Sequence, residues 1–160
     1  MIKVAENLYV GNDEDARHNA FNEMSFVHAC KTSHQQGVGY IGNLAKDHPL
    51  YLVYERGREL FLNIIDAKFP LSPNFGDPLF KAAFDFIDKK INDIEVLVHC
   101  NQGLSRSPSI ALAYMAKKGL LPSESYKEAS EEFKKIYPDY NPGVGIVHYL
   151  ENHWSHILSL

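Results

Sequence analysis

Residues 95–109 read EVLVHCNQGLSRSPS, and this stretch decides the reading of the whole chain. Val96, Leu97 and Val98 form an apolar run that suits a buried strand. The run delivers Cys100 into a short loop containing Gly103, and Arg106 follows six positions after the cysteine. Pro108 then sits just inside an expected helix start at Ser107 and Pro108, where the missing N–H of proline costs nothing. A strand, a loop and a helix N-terminus in that order make an anion site. Unpaired amides of the first helical turn point toward a bound anion, and the macrodipole adds about half a positive charge there.

Each residue type in the loop suits the same chemistry. The reactive form of cysteine is the thiolate, and positive surroundings favour it. Glycine permits the backbone angles that let successive amides converge as a nest. The planar guanidinium of Arg106 can hold two phosphoryl oxygens at once. Cys100 is therefore the candidate nucleophile. Asn101, Gln102, Gly103, Leu104, Ser105 and Arg106 are the candidate phosphate-binding residues. Ser107 fits a helix cap, and His99 fits a supporting residue that orients the loop.

The spacing Cys-x5-Arg with a preceding histidine resembles the signature of the cysteine-dependent protein phosphatases, and His99-Cys100-x-x-Gly103-x-Ser105-Arg106-Ser107 resembles their dual-specificity branch. Other segments extend the resemblance over most of the chain: residues 2–16 (IKVAENLYVGNDEDA), the segment FKAAFDFIDKKI from Phe80, and the later IALAYMAKKGLLPSESYKEA and YNPGVGIVHYLENHW. Residues 31–60 align least. The resemblance implies an α/β fold of the protein tyrosine phosphatase type. Its sheet should be mixed and largely parallel, of about five strands, flanked by helices in one domain spanning 1–160. It also gives Ser107 a hydroxyl that stabilises the departing thiolate.

The leaving oxygen in such a reaction needs a proton donor. Asp66, in LNIIDAKFP, ends an apolar strand 34 residues before Cys100 and resembles the family's acid-bearing loop. Asp77, in NFGDPLF, is the rival, but the following Pro78 marks it as a helix cap. Cys30, in SFVHACKTS, ends another apolar strand expected in the same sheet as Cys100. Some relatives carry a second cysteine in a similar place that traps the oxidised nucleophile as a disulfide, which makes Cys30 a candidate redox partner beside its plain reading as a buried residue.

Composition narrows the class. At 160 residues and 45% apolar content the chain suits one globular domain. Two cysteines give no disulfide framework. The net charge of −4 argues against a nucleic-acid partner, since such surfaces concentrate positive charge. The start, MIKVAENLYV, has no basic segment followed by a long apolar run, and no stretch of 18 apolar residues occurs, so the expectation is a cytoplasmic protein without a membrane partner. The eight histidines form no paired Cys/His motif of zinc spacing, so neither a metal nor another cofactor is expected.

The resemblance implies hydrolysis of phosphomonoesters on phosphotyrosine and on phosphoserine or phosphothreonine of proteins or peptides, through a cysteinyl-phosphate intermediate. Lipid-directed members of the superfamily usually carry basic residues in the loop, so the absence of lysine between Asn101 and Ser105 disfavours lipid phosphates. Two other classes use related loops. A rhodanese-like sulfurtransferase is opposed by the helical C-terminal half, and a phosphoprotein-binding module with little turnover is opposed by the presence of Cys100, Arg106 and Asp66 together.

Overall fold

The computed structural model describes residues 1–160. β1 (Ile2–Ala5) and β2 (Leu8–Gly11) form an antiparallel hairpin, followed by α1 (Asp13–His18). β3 (Met24–His28) leads to α2 (Lys31–Val38), and β4 (Val53–Arg56) with β5 (Glu59–Leu62) makes a second hairpin. Then come α3 (Pro73–Lys90), β6 (Glu95–His99) and four closing helices: α4 (Arg106–Lys117), α5 (Tyr126–Ile136), α6 (Val144–Asn152) and α7 (Trp154–Leu158).

The strands form one six-stranded sheet in the order β1-β2-β6-β3-β5-β4. The four inner strands run parallel, and each end carries one antiparallel strand. The count exceeds the expected five by β1, whose half-exposed IKVA gives little hydrophobic signal. β6 lies in the middle, between β2 and β3, which is why its centre is apolar on both faces.

Side-chain alternation divides the sheet into two environments. Val96, Val98 and Cys100 join the 35-residue core beneath α3 to α7, together with Val27 and Ala29. Leu97 and Phe26 lie on the opposite face in a small cluster with Met24. α4 is buried from Ser107 to Ala116, as suits a helix apolar all round.

The helix signals place some boundaries differently. α3 begins at Pro73 with Ser72 as its cap, so Asp77 and Pro78 lie inside the helix and Asp77 is not a cap. No helix is long and apolar enough to cross a membrane. Residues 31–60 partly cover the sheet and partly border a pocket. Buried His34 bridges Tyr40 Oη at 2.7 Å and Leu50 O at 2.9 Å, organising the loop after α2. Lys31, Asn43, Lys46 and Tyr51 edge a pocket of about 390 Å³ that continues to Ile64, Ile65 and Phe69.

Candidate active site

The loop from Cys100 to Ser105 crosses from the carboxyl end of β6 to the amino end of α4, the usual ligand position in an open parallel sheet. Cys100 is buried, with its Sγ 3.2 Å from Ser107 Oγ. Ser107 Oγ also lies 3.2 Å from Gly11 O and donates to it. One hydroxyl proton cannot serve both neighbours. With a neutral thiol, the sulfur donates to Ser107 and Ser107 donates to Gly11; once the sulfur is ionised, the same proton can turn to it. Ser107 is thus placed to stabilise a thiolate. It forms no side-chain cap for the helix, whose cap residue is Ser105.

Gly103 adopts φ +71°, a conformation that favours glycine. A Cβ there would also lie 2.9 Å from Gly11 O. Tyr137 Oη donates to the Gly103 carbonyl at 2.7 Å, and Leu104 O accepts from Asn141 N at 2.8 Å. The Tyr137 hydroxyl is pushed up to about 12 by burial and by negative charge at Cys100, so it stays a donor. Neither contact is apparent in the sequence, because Tyr137 and Asn141 reach the loop from beyond α5.

Arg106 holds the cradle together. Its Nη1 donates to Ile64 O at 3.1 Å and its Nη2 to Asn101 Oδ1 at 2.7 Å. Its Nε is a buried donor without a protein partner. An unmet guanidinium N–H beside the loop is a donor that an oxyanion would complete.

Asp66 follows β5 and is exposed, as access to a leaving group requires. It is held at the loop's edge: Ser105 Oγ donates to Asp66 Oδ1 at 3.1 Å and accepts from Gly143 N at 2.8 Å. Gly143 and Gly145 bring their backbone close to this segment, Gly145 against main chain and Gly143 against the Asp66 carboxylate. A Cβ at Gly143 would stand 2.3 Å from Asp66 Oδ1, and one at Gly145 would stand 2.2 Å from Phe69 O. The Ser105 side chain is thus engaged by Asp66 and Gly143, which leaves its backbone N–H as the group that faces a phosphate-binding role. Gln102 is exposed on the loop. The rival Asp77 is occupied elsewhere, accepting from Tyr149 Oη at 2.7 Å and pairing with His156 Nε2 at 2.7 Å. It fastens α3 to α6 and α7.

His99 and Cys30 lie on the other face of the sheet from Cys100. His28 pairs with His99 in the parallel β3/β6 register, and Cys30 continues in extended backbone two residues after His28. The Cys30 Sγ neighbours Ser33 Oγ at 3.1 Å, Thr32 Oγ1 at 3.7 Å and Asp13 Oδ1 at 4.0 Å. Strand parity therefore corrects the redox expectation: Cys30 is turned away from Cys100, and both are free thiols. His99 Nε2 meets His28 Nδ1 at 2.6 Å, and His28 Nε2 meets Glu59 Oε1 at 3.1 Å. Asp13 Oδ2 accepts from Asn101 Nδ2 at 2.9 Å, which ties this network to the phosphate loop. Burial and the neighbouring His28 push His99 down to about 4, against the opposing pull of Asp13. His28 is also lowered, chiefly by burial.

A buried cysteine beside a serine hydroxyl, an arginine with an unmet donor and a tethered aspartate define the class of cysteine nucleophile sites built for phosphate. Comparison with known proteins agrees. The family model for the dual specificity phosphatase catalytic domain matches residues 20–155, and the chain belongs to that family. Mouse dual specificity protein phosphatase 8 is 27% identical over 146 residues, covering 88% of this chain and 19% of the relative. Human dual specificity protein phosphatase 16 is 28% identical over 144 residues, covering 87% and 19%. The chain thus spans about a fifth of the length of these relatives. The crystal structure of DUSP15 superposes with a TM-score of 0.68 at 23% identity, covering 98% of this chain and 89% of that one, a likeness of fold.

Proposed function

We propose that this chain hydrolyses phosphomonoesters on phosphotyrosine and on phosphoserine or phosphothreonine of proteins, through a cysteinyl-phosphate intermediate. The observation that carries the reading is the buried, unpartnered Arg106 Nε beside the Cys100–Ser107 pair. In the first step the Cys100 thiolate attacks phosphorus in line and the bond from phosphorus to the leaving oxygen breaks. Loop amides and Arg106 carry the charge on the three equatorial oxygens, and Asp66 passes its proton to the leaving oxygen. In the second step Asp66 takes a proton from water, the water oxygen attacks phosphorus, and the thiolate departs toward the Ser107 hydroxyl. Nothing in this sequence of steps calls on a metal.

The exposed position of Asp66 supports a shallow entrance that accepts both short and long phosphorylated side chains. The neighbouring pocket, with Ile65, Phe69, Lys31 and Lys46, offers apolar and cationic contact to the flanking peptide.

The test is release of p-nitrophenol from p-nitrophenyl phosphate in EDTA, followed by phosphate release from phosphotyrosine and phosphothreonine peptides. Turnover in the unmodified protein and none in Cys100→Ser is expected. A folded, reduced protein that binds phosphopeptide without turnover would replace this reading with that of a binding module.

A further inference from the structure

Three of the ten exposed large apolar side chains meet in one place. Ile65 is 52% exposed, Phe69 67% and Phe75 37%, and all three border the pocket of about 390 Å³ beside the acid-bearing segment. Single exposed apolar residues are ordinary, whereas a contiguous group of them marks a contact site. The floor of the pocket is the core itself, through Ile64 and Leu79, both buried.

Hydrogen bonds and ring contacts build the walls into the fold. Asn63, just after β5, donates its Nδ2–H to Tyr51 O at 2.8 Å and its backbone N–H to Leu52 O at 2.8 Å, which pins the segment entering β4. The Tyr51 ring stands edge-on to Phe75 of α3, with centroids 6.4 Å apart. At the rim, Lys31 of α2 donates to Asn43 Oδ1, which fastens the loop that carries Lys46.

The charge of the rim has one sign. The lining includes Lys31 and Lys46 and no carboxylate; Asp47, beside Lys46 in sequence, lies outside it. Neither lysine belongs to the ion-paired set, which is Lys3, Lys81, Lys89, Lys118 and Lys135. On a chain of net charge −4 this is a local excess of free cations.

Main chain joins the pocket to the catalytic centre. Ile64 O holds Arg106 Nη1 at 3.1 Å, Ile65 immediately precedes Asp66, and Phe69 follows three residues after it. Consecutive Cα atoms lie about 3.8 Å apart, so those of Asp66 and Phe69 are within about 11 Å, a span that an extended substrate covers in about three residues.

We propose that this pocket selects the substrate, favouring phosphopeptides that carry a large apolar side chain, phenylalanine or leucine, within about three residues of the phosphorylated one and beside an acidic residue. The inference rests on the phosphoprotein reading above and names the sequences that reading would favour. The apolar side chain seats against Phe69 and Phe75 over Ile64 and Leu79, and the neighbouring carboxylate meets Lys31 and Lys46 at the rim. Burial of the first supplies affinity, and opposite charge at the solvated rim adds orientation and a faster encounter. The recessed floor favours a peptide over a lipid surface, because it is reached by a single inserted side chain.

The test measures Kd by fluorescence anisotropy for labelled phosphothreonine peptides on Cys100→Ser, so affinity is read independently of turnover. Phenylalanine is moved through the three positions on either side of the phosphorylated residue in an alanine background, with glutamate or lysine beside it. The preferred phenylalanine is expected to tighten binding about tenfold over alanine. Glutamate should bind about threefold tighter than lysine, a difference that shrinks at about 0.5 M salt. Phe69→Ser and Lys46→Glu change exposed side chains; the first should abolish the phenylalanine preference and the second the glutamate preference. No binding by any peptide, equal Kd across the series, or preferences unchanged in both variants overturns the proposal. Binding to vesicles containing phosphatidylserine without selection among the peptides also overturns it and makes the patch a membrane contact. Absence of hydrolysis by the unmodified protein would strike the proposed activity alone, and a peptide preference lost in Phe69→Ser would still establish the pocket.

Discussion

Replacing Gly143 by alanine isolates the contribution of Asp66. Gly143 has φ −68° and ψ 156°, which alanine adopts without strain, and its N–H to Ser105 Oγ survives the change. The new methyl would stand 2.3 Å from Asp66 Oδ1, and an ordinary contact requires at least about 3.4 Å, so the carboxylate must move by roughly 1 Å. That atom ends a flexible, exposed side chain held only by the Ser105 hydroxyl, so it moves at the cost of about one solvent-exposed hydrogen bond. Misplacing a catalytic group by about 1 Å can cost on the order of a hundredfold, near 2.7 kcal/mol in the barrier.

The loss should depend on the leaving group. An alkoxide needs the proton, whereas p-nitrophenoxide leaves readily without it. Gly143→Ala is expected to lower kcat/KM on a phosphothreonine peptide about a hundredfold and on p-nitrophenyl phosphate less than about fivefold, with the melting temperature nearly unchanged. A series of aryl phosphates should show a steeper dependence on leaving-group acidity in the variant. Equal losses on all substrates, or no loss on any, would refute the placement of Asp66 as the acid.

Asp77→Asn should leave peptide turnover within about twofold and lower the melting temperature, because it removes the charge paired with His156 inside the α3 to α7 contact; Asp66→Asn should do the reverse. Tyr137→Phe strips the Gly103 carbonyl of its buried donor, costing about 1–3 kcal/mol and lowering the melting temperature by roughly 2–10 °C, with a parallel fall in kcat/KM as the loop loosens. Stability should also fall in acid through His99. Its folded value of about 4 lies below the unfolded 6.5, so between those values the unfolded chain binds more protons and stability rises with pH. Stability contributed by the buried neutral ring is therefore lost as pH falls from 6.5 toward 4. His99→Asn, followed by urea denaturation across that range, should flatten the profile; an unchanged slope would show that the burial of His99 is not its source.

The sequence carried the catalytic loop because its parts are contiguous. Strand, nucleophile, glycine, arginine and helix start occupy 95–109, and local rules of strand burial and helix entry apply to them directly. The place of Asp66 after the apolar LNII was also legible, whereas its tether to Ser105 at the loop's edge was not. Asp77 was misplaced as a cap because Pro78, read as a helix start, instead lies inside a helix that begins at Pro73 under the Ser72 cap, where its lost N–H is offset by the packing of α3.

What only the tertiary structure decided is the set of contacts made across long separations. The Ser105 side chain meets Asp66 because Gly143 arrives beside it from the far side of α5, and Tyr137 grips Gly103 from the same direction. Cys30 shows the limit most plainly. Its strand and its neighbour in the sheet were foreseen, but a shift of one residue in register exchanges the faces, and register is set by hydrogen bonds between β3 and β6 some 70 residues apart. The sequence alone determined a strand-to-helix phosphate loop with a cysteine nucleophile. Parity then separated the two thiols, leaving Cys100 with Ser107 in the core and bringing Cys30 to Asp13 and His99, because adjacent residues of an extended strand must point to opposite sides.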